Sequence, residues 1–104
     1  MIVNISSDAE ADIREGYWLY EEQNDGLGDY SRDCIMADID SPAFYAGIHQ
    51  ISYGYRRKLA CRFPFAIYYK VDEEGVTVVA VLDARRDPSW TRNRLSRGPN
   101  DQRS

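Results

Sequence analysis

The sequence predicts one small α+β domain, in which an acidic helical half supports a basic strand-rich half. Apolar residues recur every three to four positions before residue 54, as on the faces of helices, and every second position after it, as in strands. The change of period coincides with a change in the sign of the charge. A chain of 104 residues is long enough to form one hydrophobic core without disulfides or a structural metal.

The charge of the chain is divided between its halves. Residues 1–53 contain eleven acidic residues and two arginines, which gives a net charge of −9. Residues 54–104 contain eleven basic and six acidic residues, which gives a net charge of +5. We therefore expect the first half to repel polyanions and the second half to attract them.

The composition argues against several classes of protein. No apolar run approaches the roughly 18 residues that a membrane span requires, and the N-terminus lacks a signal-peptide pattern, so we expect a soluble, cytoplasmic protein without membrane partners. Cys34 and Cys61 have no partners at metal-ligand spacing, and we interpret both as buried small hydrophobic residues. His49 is the only histidine, which disfavours a histidine-rich metal site. We expect no metal and no other cofactor.

The helical half begins with a predicted edge strand at Met1–Ile5. Ser7 has the pattern of a helix N-cap, with Glu10 completing a capping box. The first helix is expected to end at Asn24–Gly26. Its predicted inward residues are Ala9, Ile13, Gly16, Tyr17 and Tyr20. We also expect Trp18 to pack within the helical hairpin.

A second helix is predicted to begin near Leu27 or Gly28 and to form an antiparallel hairpin with the first. Its predicted inward stripe consists of Leu27, Tyr30, Cys34 and Ala37. A further helical turn can begin at Ser41 and Pro42. The inward residues predicted for that segment are Phe44, Ile48 and Ile51. Gly54 is expected to end the helical half.

The second half predicts strands and a short terminal helix. The predicted strands are Tyr55–Phe63, Phe65–Val71 and Val76–Asp83. The predicted inward face of the second strand consists of Phe65, Ile67, Tyr69 and Val71. Asp72–Gly75 closes a hairpin, and the third strand is apolar on both faces, which places it in the sheet interior. Ser89–Leu95 predicts a helix, so that one domain covers residues 1–95 and residues 96–104 form a polar tail.

These elements define the predicted fold class. It is α+β, with a short N-terminal strand and a two-helix hairpin packed on a mainly antiparallel sheet of three to four strands, followed by a short C-terminal helix. Their order, together with the segments YRRKLACRFPFAIYYKV and VTVVAVLDARRDPSWTRNRL, resembles the RelE/ParE superfamily of type II toxin–antitoxin toxins. The first helix is similar to that superfamily as well. The residues that carry this similarity are Ala9, Asp12, Ile13, Tyr17, Tyr20, Glu21, Glu22, Gln23, Gly26, Leu27 and Gly28.

The resemblance covers Ile2 to Arg94 and has functional implications. It implies a RelE/ParE toxin-like fold and a growth-inhibiting toxin of the kind associated with plasmid stabilisation. It also implies an oligomeric complex with a cognate, ParD-like antitoxin that neutralises the toxin. The superfamily divides into ribosome-dependent mRNA endoribonucleases of the RelE type and inhibitors of DNA gyrase of the ParE type.

The residues favour the gyrase-binding branch. Cleavage of RNA without a metal requires a base, an acid and cations from side chains. The resemblance places Ala66, and Asp83 or Ala84, where a nuclease of this superfamily carries basic residues. The acidic helical half also disfavours work among ribosomal phosphates. We therefore assign no catalytic residue, and an mRNA endoribonuclease or a non-toxic interaction module remain the alternatives.

The predicted site is a basic surface that binds protein partners. The predicted partner-binding residues are Arg56, Arg57, Lys58, Arg62, Arg85, Arg86, Trp90 and Arg94. We expect an acidic, partly disordered antitoxin segment to fold onto this surface beside the sheet edge. DNA gyrase is the expected target, and the ribosome with its mRNA is the alternative.

Structural roles compete with this interpretation at several positions. Arg85 and Arg86 could instead pair with neighbouring aspartates, and Trp90 could cover the end of the core. Arg92 and Arg94 could form a solvated helix face together with the arginine that follows at position 97. The adjacent tyrosines at positions 68 and 69 are expected to pack in the sheet rather than to stack on bases.

Overall fold

The computed structural model describes residues 2–96 and shows an α+β fold. The elements are β1 (Ile2–Ile5), α1 (Ser7–Glu21), α2 (Leu27–Ile39), α3 (Pro42–Ala46), β2 (Ile51–Ser52), β3 (Tyr55–Leu59), β4 (Phe65–Asp72), β5 (Gly75–Asp83) and α4 (Pro88–Ser96). The predicted class and order of elements are confirmed. The sheet has five strands rather than three or four, because β2 adds a short strand. Apart from Ser96, the predicted tail lies outside the described residues.

The five strands follow the order β1-β5-β4-β3-β2 across the sheet. β1 is an edge strand parallel to β5, and all other neighbours are antiparallel. β5 lies in the interior of the sheet, as its apolar faces predict. The register between β4 and β5 shifts, so that Tyr68 pairs with Ala80 but Tyr69 pairs with Val78. Val79 is therefore the extra residue of a β-bulge.

The sheet has a hydrophobic core on each face. The face toward α1 and α2, which we call the helix face, buries Ala9, Ile35, Ile39, Phe44, Phe65, Ile67, Tyr69, Val76, Val78 and Val81. The opposite face, which we call the cleft face, buries Ala66, Tyr68, Val79, Ala80, Leu82 and Leu95. Leu95 belongs to α4, which covers part of the cleft face. The burial of Tyr68 and Tyr69 confirms that both pack in the sheet.

The N-cap of α1 is Ser6, not the predicted Ser7. The Ser6 hydroxyl accepts a hydrogen bond from the Ala9 N–H (3.1 Å). The Ser6 N–H donates to the Val78 carbonyl of β5 (3.0 Å). This contact with the sheet decides which of the two serines caps the helix. Glu10 then stands one residue beyond the position that a capping box requires, so that prediction is wrong.

The buried stripe of α2 lies one residue later than predicted. Its buried residues are Gly28, Ser31, Ile35, Asp38 and Ile39. A shift of one residue corresponds to a rotation of about 100° around the helix axis. The rotation follows from the close approach of the two helices at Gly28, where an added Cβ would lie 2.6 Å from the Tyr17 carbonyl oxygen. Tyr30 and Ala37, predicted to point inward, are exposed for this reason, and Leu27 and Cys34 are only partly buried.

Replacing Gly28 with alanine is expected to destabilise the protein, because the new methyl group would overlap the α1 backbone. We expect the overlap to exceed the gain in helix propensity of roughly 1 kcal/mol, which leaves a net loss of about 1–2 kcal/mol in the free energy of unfolding. Urea unfolding would measure this loss. Asp33→Ala, at an exposed position of α2, should change it by less than about 0.5 kcal/mol. A Gly28→Ala variant as stable as the parent would contradict the close approach.

The short helix α3 begins where the sequence predicts. The Ser41 hydroxyl accepts a hydrogen bond from the Phe44 N–H (3.4 Å), and Pro42 occupies the first turn. Phe44 is fully buried, as predicted. The helix ends at Gly47, whose left-handed backbone (φ 66°) turns the chain away from the helix axis.

The segment after α3 departs from its predicted helical pattern. Ile48 and Ile51, predicted to point inward, are 69% and 61% exposed. The reason is that helical spacing stops at α3 and the chain enters β2, which pairs with β3. Gly54 belongs to the turn between these two strands and does not end a helix.

The strand β3 ends at Leu59 rather than at the predicted Phe63. The chain then turns toward α2, where the buried Asp38 carboxylate accepts hydrogen bonds from the Cys61 N–H and from its thiol (3.0 Å each). This loop leaves Cys61 exposed, contrary to prediction, whereas Cys34 is partly buried. The hydrogen bond to Asp38 raises the pKa of the Cys61 thiol.

Two further predicted inward side chains lie at the surface. Trp18 is 54% exposed, and its ring makes a T-shaped contact with the partly buried Tyr17 ring, with 4.9 Å between the ring centroids. Val71 is 39% exposed and lies near the end of β4, next to the β4–β5 hairpin.

Candidate functional site

The β2–β3 hairpin turns at Tyr53 and Gly54, whose backbones are both left-handed (φ 55° and 87°). Two such residues are typical of tight hairpin turns, in which Asn or Gly usually comes first. Tyrosine in this conformation is strained by roughly 1–3 kcal/mol. The turn holds the Tyr53 ring on the cleft face, with its centroid 6.5 Å from that of Tyr68 and 6.0 Å from Arg92 Cζ. The strain therefore occurs where the ring contacts an exposed cation and a second ring.

Arg57 and Tyr68 are paired across β3 and β4. The Tyr68 hydroxyl accepts a hydrogen bond from Arg57 Nε (3.2 Å), and the guanidinium carbon lies 6.0 Å from the centre of the ring. This bond uses one of the five guanidinium donors and orients the group over the cleft face.

Arg86 follows the end of β5, where its N–H donates to the Asp83 carbonyl (3.1 Å). Its guanidinium carbon lies 3.8 Å from the centre of the Trp90 ring. Stacking of this kind contributes roughly 0.5–1 kcal/mol at exposed sites and leaves the edge of the guanidinium available for an anion. Trp90 is partly exposed and serves mainly as a platform for Arg86.

These side chains form one cleft between the cleft face of the sheet and the start of α4. Its volume is about 350 Å³. It is lined by Ser52, Tyr53, Arg57, Tyr68, Ala84, Arg86, Pro88 and Thr91. Arg92 lies at its rim through the contact with Tyr53. We call this feature the arginine–tyrosine cleft.

Arg56 and Lys58, two of the predicted partner-binding residues, lie on the opposite face of the sheet. Alternation along β3 points them away from Arg57 and toward the helix face. Arg56 Nη1 donates to the His49 carbonyl (2.9 Å), and Lys58 Nζ lies 3.8 Å from Asp38 Oδ1. The structure therefore does not bring these two residues together with the cleft.

Arg85 forms an ion pair with Asp83, which is the structural role that the sequence predicts as the alternative to partner binding. Arg85 Nε and Nη2 donate to the two Asp83 carboxylate oxygens (3.0 and 2.9 Å). These hydrogen bonds are the main reason that the pKa of Asp83 lies below its usual value. Arg86 stacks on Trp90 instead of pairing with an aspartate. Arg62 is exposed in the β3–β4 loop, outside the residues that line the cleft.

Arg94 attaches α4 to α1 through a nearly buried ion pair, so its interpretation as part of a solvated face is wrong. Its Nη2 lies 2.7 Å from Asp12 Oδ2, and the two side chains are only 10% and 12% exposed. The same carboxylate oxygen accepts a hydrogen bond from the Val81 N–H (3.0 Å). Burial raises the pKa of Asp12 to about 6, although the Val81 hydrogen bond and the Arg94 charge act in the opposite direction.

The raised pKa of Asp12 predicts that the free energy of unfolding increases as the pH is lowered from 7.5 to 5. Asp12 binds its proton with a pKa of about 6 in the folded state, against 3.8 as the ordinary value of an aspartate. Protonation therefore favours the folded state, by roughly 1.4 kcal/mol between pH 7.5 and 5 and by on the order of 3 kcal/mol in total once the pH lies below both pKa values. Urea unfolding at a series of pH values would measure the increase. Asp12→Asn cannot titrate, and an equally steep increase in this variant would refute the assignment.

The arginine–tyrosine cleft presents hydrogen-bond donors and aromatic rings, and no carboxylate or imidazole is among the residues that line it. Asp83 and His49, whose side chains could in principle accept a proton, lie elsewhere. Asp83 is held by Arg85, and His49 shares a hydrogen bond with the Tyr69 hydroxyl on the helix face. Burial is the main reason that the pKa of His49 is lowered. Ala66 is fully buried in the cleft-face core. The cleft is suited to binding an anionic group.

Tyr53 and Arg92 belong to the cleft but are not among the predicted site residues. Tyr53 falls in the segment that the sequence assigns to the helical half. A signal for its role is present, because a Tyr-Gly pair between two short extended stretches has the spacing of a two-residue hairpin. Arg92 has no comparable signal, since only the tertiary structure brings α4 next to that turn.

No protein-family model matches the chain, and no curated protein matches it either. Over residues 2–96, none of the helices has both the length and the apolar character needed to cross a bilayer.

Proposed function

We propose that this chain is the toxin of a type II toxin–antitoxin pair and that it inhibits growth by binding DNA gyrase. We further propose that an acidic segment of a cognate antitoxin neutralises it by occupying the arginine–tyrosine cleft. The proposal is supported by the element order and the paired strand segments that resemble the RelE/ParE superfamily. It makes the protein a binding inhibitor rather than a nuclease.

The convergence of three guanidinium groups carries the proposal. Arg57, Arg86 and Arg92 surround one cleft, and within residues 2–96 none of them has a carboxylate partner. Each is oriented by an aromatic ring, which lowers the entropy lost when it binds. Carboxylates of an acidic segment would supply the missing partners. The exposed Tyr53 ring would contact its apolar side chains.

The same geometry favours binding over RNA cleavage. A general base must be able to accept a proton from the 2′-hydroxyl at the reacting site. Asp83 is paired with Arg85 and has a lowered pKa, which weakens it as a base. His49 lies on the opposite face of the sheet from the cleft.

Expression in bacteria tests the proposed toxicity and its neutralisation. We expect the chain alone to arrest growth and co-expression with the adjacent small open reading frame to restore it. Unchanged growth on expression of the chain, at a level confirmed by immunoblot, would contradict the toxin assignment.

Purified protein tests the cellular target. We expect inhibition of gyrase supercoiling with accumulation of cleaved DNA complexes, and no cleavage of mRNA in a reconstituted translation reaction. Codon-position cleavage of the message with normal supercoiling would establish the ribonuclease alternative instead.

Variants of the cleft test the proposed neutralisation. Arg57→Ala/Arg86→Ala alters the cleft and should no longer be neutralised by the partner. Arg62→Ala/Lys70→Ala removes two exposed charges that do not line the cleft, and it should still be neutralised.

A further inference from the structure

Tyr53 occupies a backbone conformation that tyrosine rarely adopts. Within residues 2–96 it is the only residue other than glycine with a positive φ, at 55°. Gly54 follows it, also left-handed, in the two-residue turn between β2 and β3. Asn-Gly is a favoured pair where both turn residues have a positive φ, because asparagine tolerates the left-handed region better than tyrosine does. The free chain is therefore expected to gain stability from asparagine at this position.

The contacts of the Tyr53 side chain do little to offset this strain. Tyr53 is 42% exposed, whereas Tyr68 and Tyr69 are 3% and 0% exposed. Its ring centroid lies 6.5 Å from that of Tyr68 and 6.0 Å from Arg92 Cζ, which makes both contacts weak. Its hydroxyl forms no hydrogen bond within residues 2–96. Backbone strain of this kind is concentrated at functional sites, and a ring that its own chain buries so little points to a contact with a ligand.

The ring stands beside guanidinium groups that lack carboxylate partners within residues 2–96. Tyr53, Arg57 and Arg86 line the same cleft, and Arg92 contacts the ring at the rim. The arginines bind carboxylates through their N–H groups, whereas the face of the Tyr53 ring offers apolar surface. An acidic segment bound to the arginines would place its intervening side chains against that surface.

We propose that Tyr53 is a specificity-determining residue of the arginine–tyrosine cleft, whose ring selects acidic segments in which a large apolar side chain stands next to the carboxylates. The arginines bind negative charge, which every acidic segment carries, so they distinguish such segments poorly. The ring supplies the discrimination, and the strained turn holds it in place. The inference rests on the proposed function in one respect, namely that the cleft binds an acidic segment.

Thermal unfolding of the full-length Tyr53→Asn variant tests the strain. We expect the unfolding midpoint to rise by at least about 2 °C, since relief of the left-handed tyrosine exceeds the loss of two weak ring contacts. Tyr30→Asn is the matched control, because Tyr30 is similarly exposed (47%) but lies in α2 and packs on Phe63, so its midpoint should not rise. A Tyr53→Asn midpoint at or below that of the parent would overturn the proposal, since the ring would then stabilise the fold at least as much as its backbone strains it.

Two synthetic peptides of about nine residues probe the selectivity. Both consist of Glu-X-Glu repeats, with leucine at X in the first and alanine in the second, so that their charge is the same. Calorimetric titration of the full chain at low salt measures both affinities. We expect the parent to bind the leucine peptide at least about fivefold more tightly, because the Tyr53 ring buries part of the leucine side chain.

Variants at position 53 assign this preference to the ring. Tyr53→Asn should bind the two peptides with affinities within about twofold of each other, whereas Tyr30→Asn should keep the ratio of the parent. Tyr53→Phe retains the ring and loses only the hydroxyl, so it should keep the preference for leucine as well. Loss of the preference in Tyr53→Phe would assign selectivity to the hydroxyl and would contradict the proposal.

Failure of the inference and failure of the proposed function give different results. A parent that binds neither peptide would show that the cleft does not accept acidic segments, and the proposed neutralisation would fail together with the inference. A parent that binds both peptides equally, or a Tyr53→Asn variant that keeps the preference for leucine, would overturn the role of Tyr53 alone. An absence of toxicity in the growth test would leave the peptide results as they stand.

Discussion

Replacing both Arg57 and Arg86 with alanine is expected to weaken binding of the proposed acidic antitoxin segment at least about 100-fold. Truncation of one member of a desolvated charge pair typically costs 2–5 kcal/mol, and a loss of about 2.8 kcal/mol already corresponds to 100-fold. Both guanidinium groups lie in the same cleft and are oriented by Tyr68 and Trp90, respectively. An acidic segment bound there would lose two of its cationic partners.

Calorimetric titration with the neutralising partner would measure this loss. The affinity of the parent should fall between about 50 and 300 mM salt, and the double variant should depend less on salt because fewer ion pairs form. Arg62→Ala/Lys70→Ala removes the same charge from exposed positions that do not line the cleft and should change the affinity less than about threefold. Equal losses in the two double variants would show that net charge, and not the cleft, determines binding. Thermal unfolding of each variant checks that the fold is retained.

Replacing Tyr69 with alanine is expected to lower the free energy of unfolding by about 3–5 kcal/mol, the range found when a buried aromatic ring is removed. Tyr69 is fully buried on the helix face and stacks on Phe44, with 3.8 Å between the ring centroids. The substitution would leave a cavity beneath α3. A loss of this size is a large part of the 5–15 kcal/mol that typically stabilises a domain.

Tyr69→Phe is the matched control, since it keeps the ring and removes only the hydroxyl that shares a hydrogen bond with His49. Its expected loss is about 0.5–1.5 kcal/mol. Urea unfolding of both variants would separate the packing of the ring from the hydrogen bond. A Tyr69→Ala variant that loses no more than Tyr69→Phe would contradict the position of the ring in the core.

Local patterns predict several elements closely. Ser41 and Pro42 mark the start of α3, and the DEEG segment from Asp72 to Gly75 closes the β4–β5 hairpin. The apolar run from Val76 also predicts an interior strand. These predictions succeed because a cap, a turn and a strand with two buried faces each depend on residues that are adjacent in the sequence.

Other predictions fail where a contact between distant segments decides the outcome. The Ser6 cap depends on a bond to Val78, and the face of α2 depends on the approach of Gly28 to Tyr17. The helical period remains correct for α2, but its phase is wrong by one residue. The spacing of apolar residues specifies how wide the buried stripe of a helix is. It specifies less firmly which way that stripe faces when small residues such as Gly28 and Ser31 can also pack against a neighbouring helix.

The residues of the predicted site likewise divide into those that the sequence identifies and those that only the tertiary structure distinguishes. The sequence identifies Arg57 and Arg86 among eight candidates, but it cannot tell that Arg56 and Lys58 face the helices. It also cannot tell that Arg94 is held by Asp12. The pairing of Arg85 with Asp83 is local and can be read from the sequence, whereas the ion pairs of Lys58 and Arg94 join segments far apart in the chain, and no local pattern contains those.

The sequence by itself therefore determines the class of the fold, the order of its elements and the division of charge between the two halves. These properties follow from period, composition and short-range capping, which are local quantities. Only the tertiary structure decides that Arg57 and Arg86 line one cleft with Arg92 at its rim, and that Trp18 and Met36 remain exposed in a groove on the helical hairpin. The reason is physical. Both surfaces are produced by packing between segments that are far apart in the chain, and this packing distinguishes side chains that look alike in the sequence.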